Sequence, residues 1–424
     1  MKQTVVLIII SMFIASCSKR IDSQYPFYDI DLEFNPGKQY IAVDCQLDIP
    51  ANYRSDTLVF YLHRQLALSE LTMDGNKKFI LNTDSSDIRY MPFATRYEII
   101  ADNPVHQKVS VHMEYSGEIT EWSGWSPSVI SKEWTELGLY YPWYPLNSDF
   151  GLFNYEVGIS PIKNQNIFLM GSSFKKNDRI TYSTDFPTND IVVCASEDLK
   201  IFSDSMGECK LDIVHNTFPD TLLHALRDEI NDISGLYNKW FPEGGNRICL
   251  VESMREQGGG YARLGGIYLS GLSSEDYFGS RKKYTRYLAH EISHLWWYRA
   301  DANTWHDWIN EGFAEYSALM VLRDFYGQEY FEKWISMKQE AVKGKAPVWH
   351  YDRSGRDAHT IFYDKAPLIL YDLENKTGRD EFRKLMNKAL VQEIGTTSLF
   401  LKMLEEEKGE EVAAWFLKKL KDEV

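Results

Sequence analysis

Apolar and polar residues alternate along the first half of the chain. Tyr28-Asp29-Ile30-Asp31-Leu32-Glu33-Phe34 changes character at every step, and parts of 57–63 (TLVFYLH) and 107–114 (QKVSVHME) do the same. A period of two marks strands with one buried face. The turn signals Asn35-Pro36-Gly37 and Asp74-Gly75-Asn76 separate the runs. Short strands at such spacing predict a β-sandwich-like domain. From about 206 the period lengthens. Pro219-Asp220-Thr221 opens a helix whose apolar positions Leu222, Leu223, Leu226, Ile230, Ile233 and Tyr237 fall on one face. Asn246 to Val251 and Gly266 to Ser270 read as strands, with a glycine-rich stretch, Gln257-Gly258-Gly259-Gly260-Tyr261-Ala262-Arg263, between them. After 281 the pattern is mostly helical to the end. The expected fold class is therefore multidomain β plus α/β (α+β): a β-rich domain over 23–205, then a domain over 206–424 that closes in a run of helices.

Length and composition fit this picture. The 424 residues leave room for two or three domains, and 44% apolar with 25% charged residues is the balance of a folded globular chain. A formal net charge of -15 argues against nucleic acid, which requires a basic face. The first residues follow a different rule. Lys2 precedes an apolar run, VVLIIISMFIA, too short to span a bilayer and ending in Ile14-Ala15-Ser16-Cys17. This resembles a bacterial lipoprotein signal over 1–17, with Cys17 as the lipidated first residue of the mature chain and 18–22 as a tether. The expectation is a lipid-anchored protein of the bacterial cell envelope, at a membrane without spanning it. Four further cysteines, Cys45, Cys194, Cys209 and Cys249, show no metal-binding spacing. Export would permit disulfides, and a Cys194–Cys209 pair is one possibility.

The chemistry concentrates in Tyr287-Leu288-Ala289-His290-Glu291-Ile292-Ser293-His294-Leu295-Trp296-Trp297, a stretch without Pro or Gly. Two histidines at i and i+4 lie one turn apart on nearly the same helix face, so their rings can converge on one ion. Glu291 sits about 100° round the helix. There it can take a proton from an attacking water. HExxH alone is a modest signal. The segment Trp308-Ile309-Asn310-Glu311-Gly312-Phe313-Ala314-Glu315-Tyr316 strengthens it, because catalytic zinc takes three protein ligands and Glu311 can be the third. Glu315, at i+4 from Glu311, can accept the distal N–H of a ligand histidine.

HEISH followed by WINEGFAEY resembles the M1 family of zinc aminopeptidases, which are thermolysin-like gluzincins. The resemblance implies one zinc on His290, His294 and Glu311, with Glu291 as general base. Tyr363-Asp364-Lys365 loosely matches a further family motif, which makes Tyr363 the donor to the tetrahedral oxyanion. The opening strands are similar to the family's N-terminal β-domain, and Tyr144-Pro145 to its aromatic-Pro step. The second half is then expected to be a thermolysin-like, mostly helical zinc peptidase domain, acting on peptide substrates. The sequence stops at 424, so the family's large C-terminal helical domain is expected to be missing and the cleft more open.

Two features depart from the family. Sixteen residues separate His294 from Glu311, two fewer than is usual there. The family's GxMEN strand aligns with Gly258, Gly259 and Gly260 onward, which keeps an edge for peptide backbone but puts Ala262 where the amine-binding glutamate belongs. Counting nine residues back from Pro145 gives Glu136 as a remaining amine anchor. Arg263 adds a positive charge that could disfavour an ammonium or pair with a substrate carboxylate. Three readings follow: an aminopeptidase on short peptides, a zinc peptidase without strict need of a free N-terminus, or a non-catalytic envelope protein that binds peptides. Retention of base, ligands and Tyr363 together argues against the third. Trp296 and Trp297 read as core, His306 and Asp307 chiefly as surface or packing residues, and His350 and His359, which flank the Tyr363 segment without ligand spacing, as rim residues of the cleft.

Overall fold

The computed structural model describes residues 24–422 apart from 54–56, 74–78, 85–90, 92, 102–107, 123–128, 177, 207–208, 243, 245–246 and 255–259. The signal segment with Cys17, the tether, and Gly258 and Gly259 lie outside the described residues.

The alternating half folds as three sheets. A seven-stranded sheet runs in the order Ser172–Lys176, Arg179–Ser183, Asn154–Ile159, Phe27–Asn35, Tyr40–Ile49, Val109–Glu118, Ala67–Met73. A three-stranded sheet is centred on Ala94–Ala101, and a four-stranded sheet contains Thr135–Leu137 and Val193–Ser196. The strand Phe27–Asn35 alternates buried and exposed along its length, as its period of two predicts. Inward residues of all three sheets, among them Ile30, Phe60 and Val193, share one core. The sandwich-like expectation therefore holds.

A five-stranded sheet opens the second half, in the order Lys200–Met206, Cys209–His215, Arg247–Ser253, Gly266–Ser270, Gly260–Arg263. The expected division at 205/206 falls inside the first of these strands, which pairs with its neighbour from Lys200↔His215 to Met206↔Cys209. Helix α1 (Asp220–Trp240) packs its predicted apolar face, including Leu226, Ile230 and Ile233, into the core beneath this sheet. Then come α2 (Ser274–Gly279), α3 (Arg281–Ser293), α4 (Trp308–Tyr326), α5 (Gln328–Ala341), α6 (Ala358–Thr360), a π-turn over Ile361–Lys365, α7 (Ala366–Thr377), α8 (Arg379–Val391), α9 (Thr397–Lys408) and α10 (Glu410–Lys421). Most of α4 is buried on every side, from Trp308 to Arg323, so it is the central helix.

Cys45, Cys194, Cys209 and Cys249 are all buried free thiols, so the possible Cys194–Cys209 disulfide is not formed. Burial pushes the Cys194 thiol well up, the behaviour of an inert core cysteine. Among the described residues, no helix is long and apolar enough to cross a membrane.

Candidate metal centre

Helix α3 ends at Ser293, and His294 is its C-cap in right-handed helical geometry. His290 and His294 therefore stand at the negative end of the helix dipole, which favours a cation. Glu311 enters from the first turn of α4. The asparagine before it explains that placement. Asn310 Nδ2 donates to the Ala300 carbonyl at 2.9 Å and to Asp307 at 2.9 Å, while the Ala300 amide donates back to Asn310 at 3.0 Å. This ties the start of α4 to the shortened loop after His294.

The three candidate ligand atoms converge. Nε2 of His290 lies 3.3 Å from Nε2 of His294 and 3.3 Å from Oε2 of Glu311, and the third edge is 3.5 Å. A tetrahedral ion with bonds of about 2.0–2.1 Å has ligand–ligand edges of about 3.3–3.4 Å. The Glu311 Oε2 atom is buried without a hydrogen-bond partner. Both outer ring nitrogens are engaged: His294 Nδ1 donates to the Trp297 carbonyl at 2.8 Å, and His290 Nδ1 to Glu315 Oε2 at 3.1 Å. Each ring thus turns a lone pair inward, and the donor set fits zinc. Without a metal, protons take its place. Burial disfavours the charged His290, yet the carboxylates of Glu311 and Glu315 lift it to about 10. Burial likewise opposes charge on Glu311, but the two histidines hold it far below the usual carboxylate range.

Glu291 lies between the ligands on α3, 8% exposed, and its charge acts on both histidines. The Tyr363 ring stacks on His290 at 5.5 Å and on His359 at 4.5 Å, from the π-turn before α7. Burial and the nearby Glu311 push its hydroxyl well above 10, so it stays a proton donor. Glu315 is fully buried and accepts from Arg286 at 2.5 and 2.6 Å and from Lys338 at 2.7 Å as well as from His290. The sequence did not point to either cation. Arg286 stands at i−4 from His290 on the metal helix, a spacing that could have found it. Lys338 has no such signal.

Several residues read as core or packing do pack. Asp307 is buried and bonded by Arg353 at 2.5 Å, so it braces the loop before Glu311. Burial and the Glu311 charge raise it to about 7 against the pull of Arg353. His306 bonds Thr397 at 3.0 Å, and the His350 ring packs at a tilt against Trp305. Trp297 packs on Phe313 at 4.2 Å in the core.

At the glycine-rich segment, Gly260–Arg263 is the edge strand of its sheet, paired to Gly266–Leu269. Gly260 has φ of 130°, and a Cβ there would sit 2.2 Å from the Tyr268 carbonyl and 2.4 Å from the Tyr287 hydroxyl on α3. The strand therefore starts against the metal helix. Ala262 pairs with Ile267. Glu136 is fully buried, with Oε2 accepting from Trp134 at 3.0 Å and Oε1 from Tyr261 at 2.8 Å. Its carboxylate fastens the edge strand from behind. The Arg263 side chain is 9% exposed, bonded to Asp190 at 2.7 Å and stacked on Tyr140 and Tyr261, so its charge already meets a buried carboxylate.

Comparison with known proteins gives a domain match and a fold match. Residues 273–418, which contain both ligand segments, match the Peptidase family M1 domain. A 112-residue stretch is 28% identical to endoplasmic reticulum aminopeptidase 2 of Bos taurus, covering 24% of this chain and 12% of that protein's length. The fold resembles the crystal structure of an M1 zinc metallopeptidase from Deinococcus radiodurans, with TM-score 0.70, 16% identity and 94% of both chains covered. It also resembles leukotriene A4 hydrolase from Saccharomyces cerevisiae, with TM-score 0.67, 15% identity, 96% of this chain and 71% of that one. The stretch 273–418 thus matches the M1 peptidase domain, and the fold of the chain is similar to that of two-domain M1 zinc metallopeptidases.

Proposed function

We propose that the protein is a zinc-dependent metallopeptidase that hydrolyses peptide bonds, with short peptides as substrates and removal of N-terminal residues as its mode. The observation that carries this is the inward-facing triad His290, His294 and Glu311, with Glu291 beside it. One zinc held there would supply a Lewis acid at the scissile carbonyl and make water acidic enough to attack near neutral pH. Glu291 takes the proton from the attacking water and passes it to the leaving amine. Tyr363 stays protonated and donates to the developing oxyanion. Peptide backbone adds along the free side of the Gly260–Arg263 edge. A related D. radiodurans M1 zinc metallopeptidase variant has been crystallised with a Tyr-Ser-Ala substrate, which supports a short peptide as ligand class.

A second reading has a specific observation in its favour. Ala262 brings no carboxylate to a substrate amine, and the carboxylate of Glu136 is buried between Trp134 and Tyr261. A peptidase built so would not require a free N-terminus. Mixed peptides with free and acetylated N-termini, read by mass spectrometry with and without a chelator, test both. Chelator-sensitive loss of N-terminal residues from free peptides alone supports the aminopeptidase. Equal cleavage of both sets replaces it with the second reading, and no cleavage at all ends the peptidase proposal.

The lipid anchor rests on residues 1–17 alone. We propose envelope localisation through Cys17. Fatty-acid labelling that survives Cys17→Ala would refute it.

A further inference from the structure

Lys338, on α5, is one of the most deeply buried cations in the protein, with its side chain 4% exposed. Its ammonium group has three hydrogens to donate. It meets three acceptors: Glu315 Oε1 at 2.7 Å, the Tyr363 carbonyl at 2.8 Å and Asp364 Oδ1 at 2.9 Å. Two of these belong to the turn that carries the oxyanion tyrosine, and the third is the carboxylate behind the ligand His290. Glu315 also accepts from Arg286 and from His290 Nδ1, so one carboxylate holds both the ligand ring and the Lys338 ammonium.

The turn needs such a tie. Over Ile361–Lys365 the backbone is a π-turn between α6 and α7, an uncommon local geometry that clusters at functional sites. Lys365 anchors its far end by donating to the Lys345 and Ala346 carbonyls at 3.0 and 2.9 Å. Lys338 anchors its centre and joins it to the metal helix through Glu315. We propose that Lys338 is a positioning residue that fixes the Tyr363 ring against His290, and so sets the oxyanion donor relative to the metal. This rests on the peptidase reading above.

The test compares wild type, Lys338→Met, Tyr363→Phe and the double variant of the full chain. It measures bound zinc, kcat and KM on a cleaved peptide, and amide hydrogen exchange over 361–366. The expected result for Lys338→Met is wild-type zinc content, KM within about twofold and kcat lower by about 10–100-fold. Exchange over 361–366 quickens, while α3 keeps its protection. Because Lys338 acts through Tyr363, adding Lys338→Met to Tyr363→Phe costs little more in kcat. Unchanged exchange over 361–366, fully additive kcat losses, or loss of zinc in proportion to kcat would each overturn the proposal, and Lys338→Arg serves as the variant of retained charge should Lys338→Met not fold. If wild type cleaves nothing, the peptidase reading falls, and the exchange and zinc measurements still judge Lys338 by themselves.

Discussion

Replacing Glu291 by glutamine keeps its shape and removes its ability to take a proton. Because the three ligand atoms are untouched, Glu291→Gln should bind zinc as wild type does and lose activity by about 10²–10⁴-fold. Peptide hydrolysis that survives in a zinc-loaded Glu291→Gln sample would place the base elsewhere. His290 gives a second test, in pH. In the metal-free protein its folded pKa is raised to about 10 from an ordinary 6.5. The sign follows: its charge stabilises the metal-free fold fully below about 6.5, and that contribution is lost as pH rises towards 10. Zinc must displace this proton, so apparent affinity should climb about tenfold per pH unit between pH 7 and 9 for each proton released. Competition with a chromophoric chelator measures it, and a flat profile would show that His290 enters the complex already deprotonated. These ligands were legible because helix periodicity puts His290 and His294 on one face and the NEG segment names Glu311. Lys338 and Arg263 were not, since each meets its carboxylate through tertiary packing, 23 and 73 residues away in sequence.

At the scale of elements, pattern predicted well wherever one face alone is buried. The strand Phe27–Asn35 and helix α1 follow their periods residue by residue. It predicted less where both partners of a contact are buried. Counting from Pro145 singles out Glu136 as an amine anchor, but its burial depends on Trp134 and Tyr261, which no period encodes. The Gly260–Arg263 edge invites a mutational test. Gly260→Ala must hold an L-residue at φ of 130° and bring its Cβ within 2.2 Å of the Tyr268 carbonyl. The strain alone is worth about 1–3 kcal/mol. The strand should shift away from α3, lowering the unfolding midpoint and raising KM more than it lowers kcat. Gly271→Ala, at φ of 65° with open space around it, controls for backbone strain without close approach. Equal KM values in the two variants would remove the edge strand from the substrate path.

One joint of the whole molecule lies where the β-rich half meets that edge strand. Asp190 is fully buried, accepting from Arg263 at 2.7 Å, from Tyr144 at 3.0 Å and from the Leu139 amide at 3.2 Å. Tyr144 and Leu139 belong to the core of the first half, and Arg263 to the sheet of the second. With Glu136–Tyr261 this makes two buried carboxylate contacts holding one short strand to the neighbouring domain. Removing Asp190 leaves a buried guanidinium uncompensated, and breaking a buried pair costs about 3–5 kcal/mol. Asp190→Ala should therefore destabilise by about that much in denaturant unfolding. The loss should not be uniform. The metal helices α3 and α4 pack within the second half, so zinc affinity should hold while the edge strand loosens. Calorimetry of the zinc-loaded variant should resolve two transitions, the lower for the β-rich half, where wild type gives one. A single transition shifted as a whole, with zinc affinity lost in parallel, would mean that the joint supports the metal centre directly instead of acting through the strand that receives the peptide.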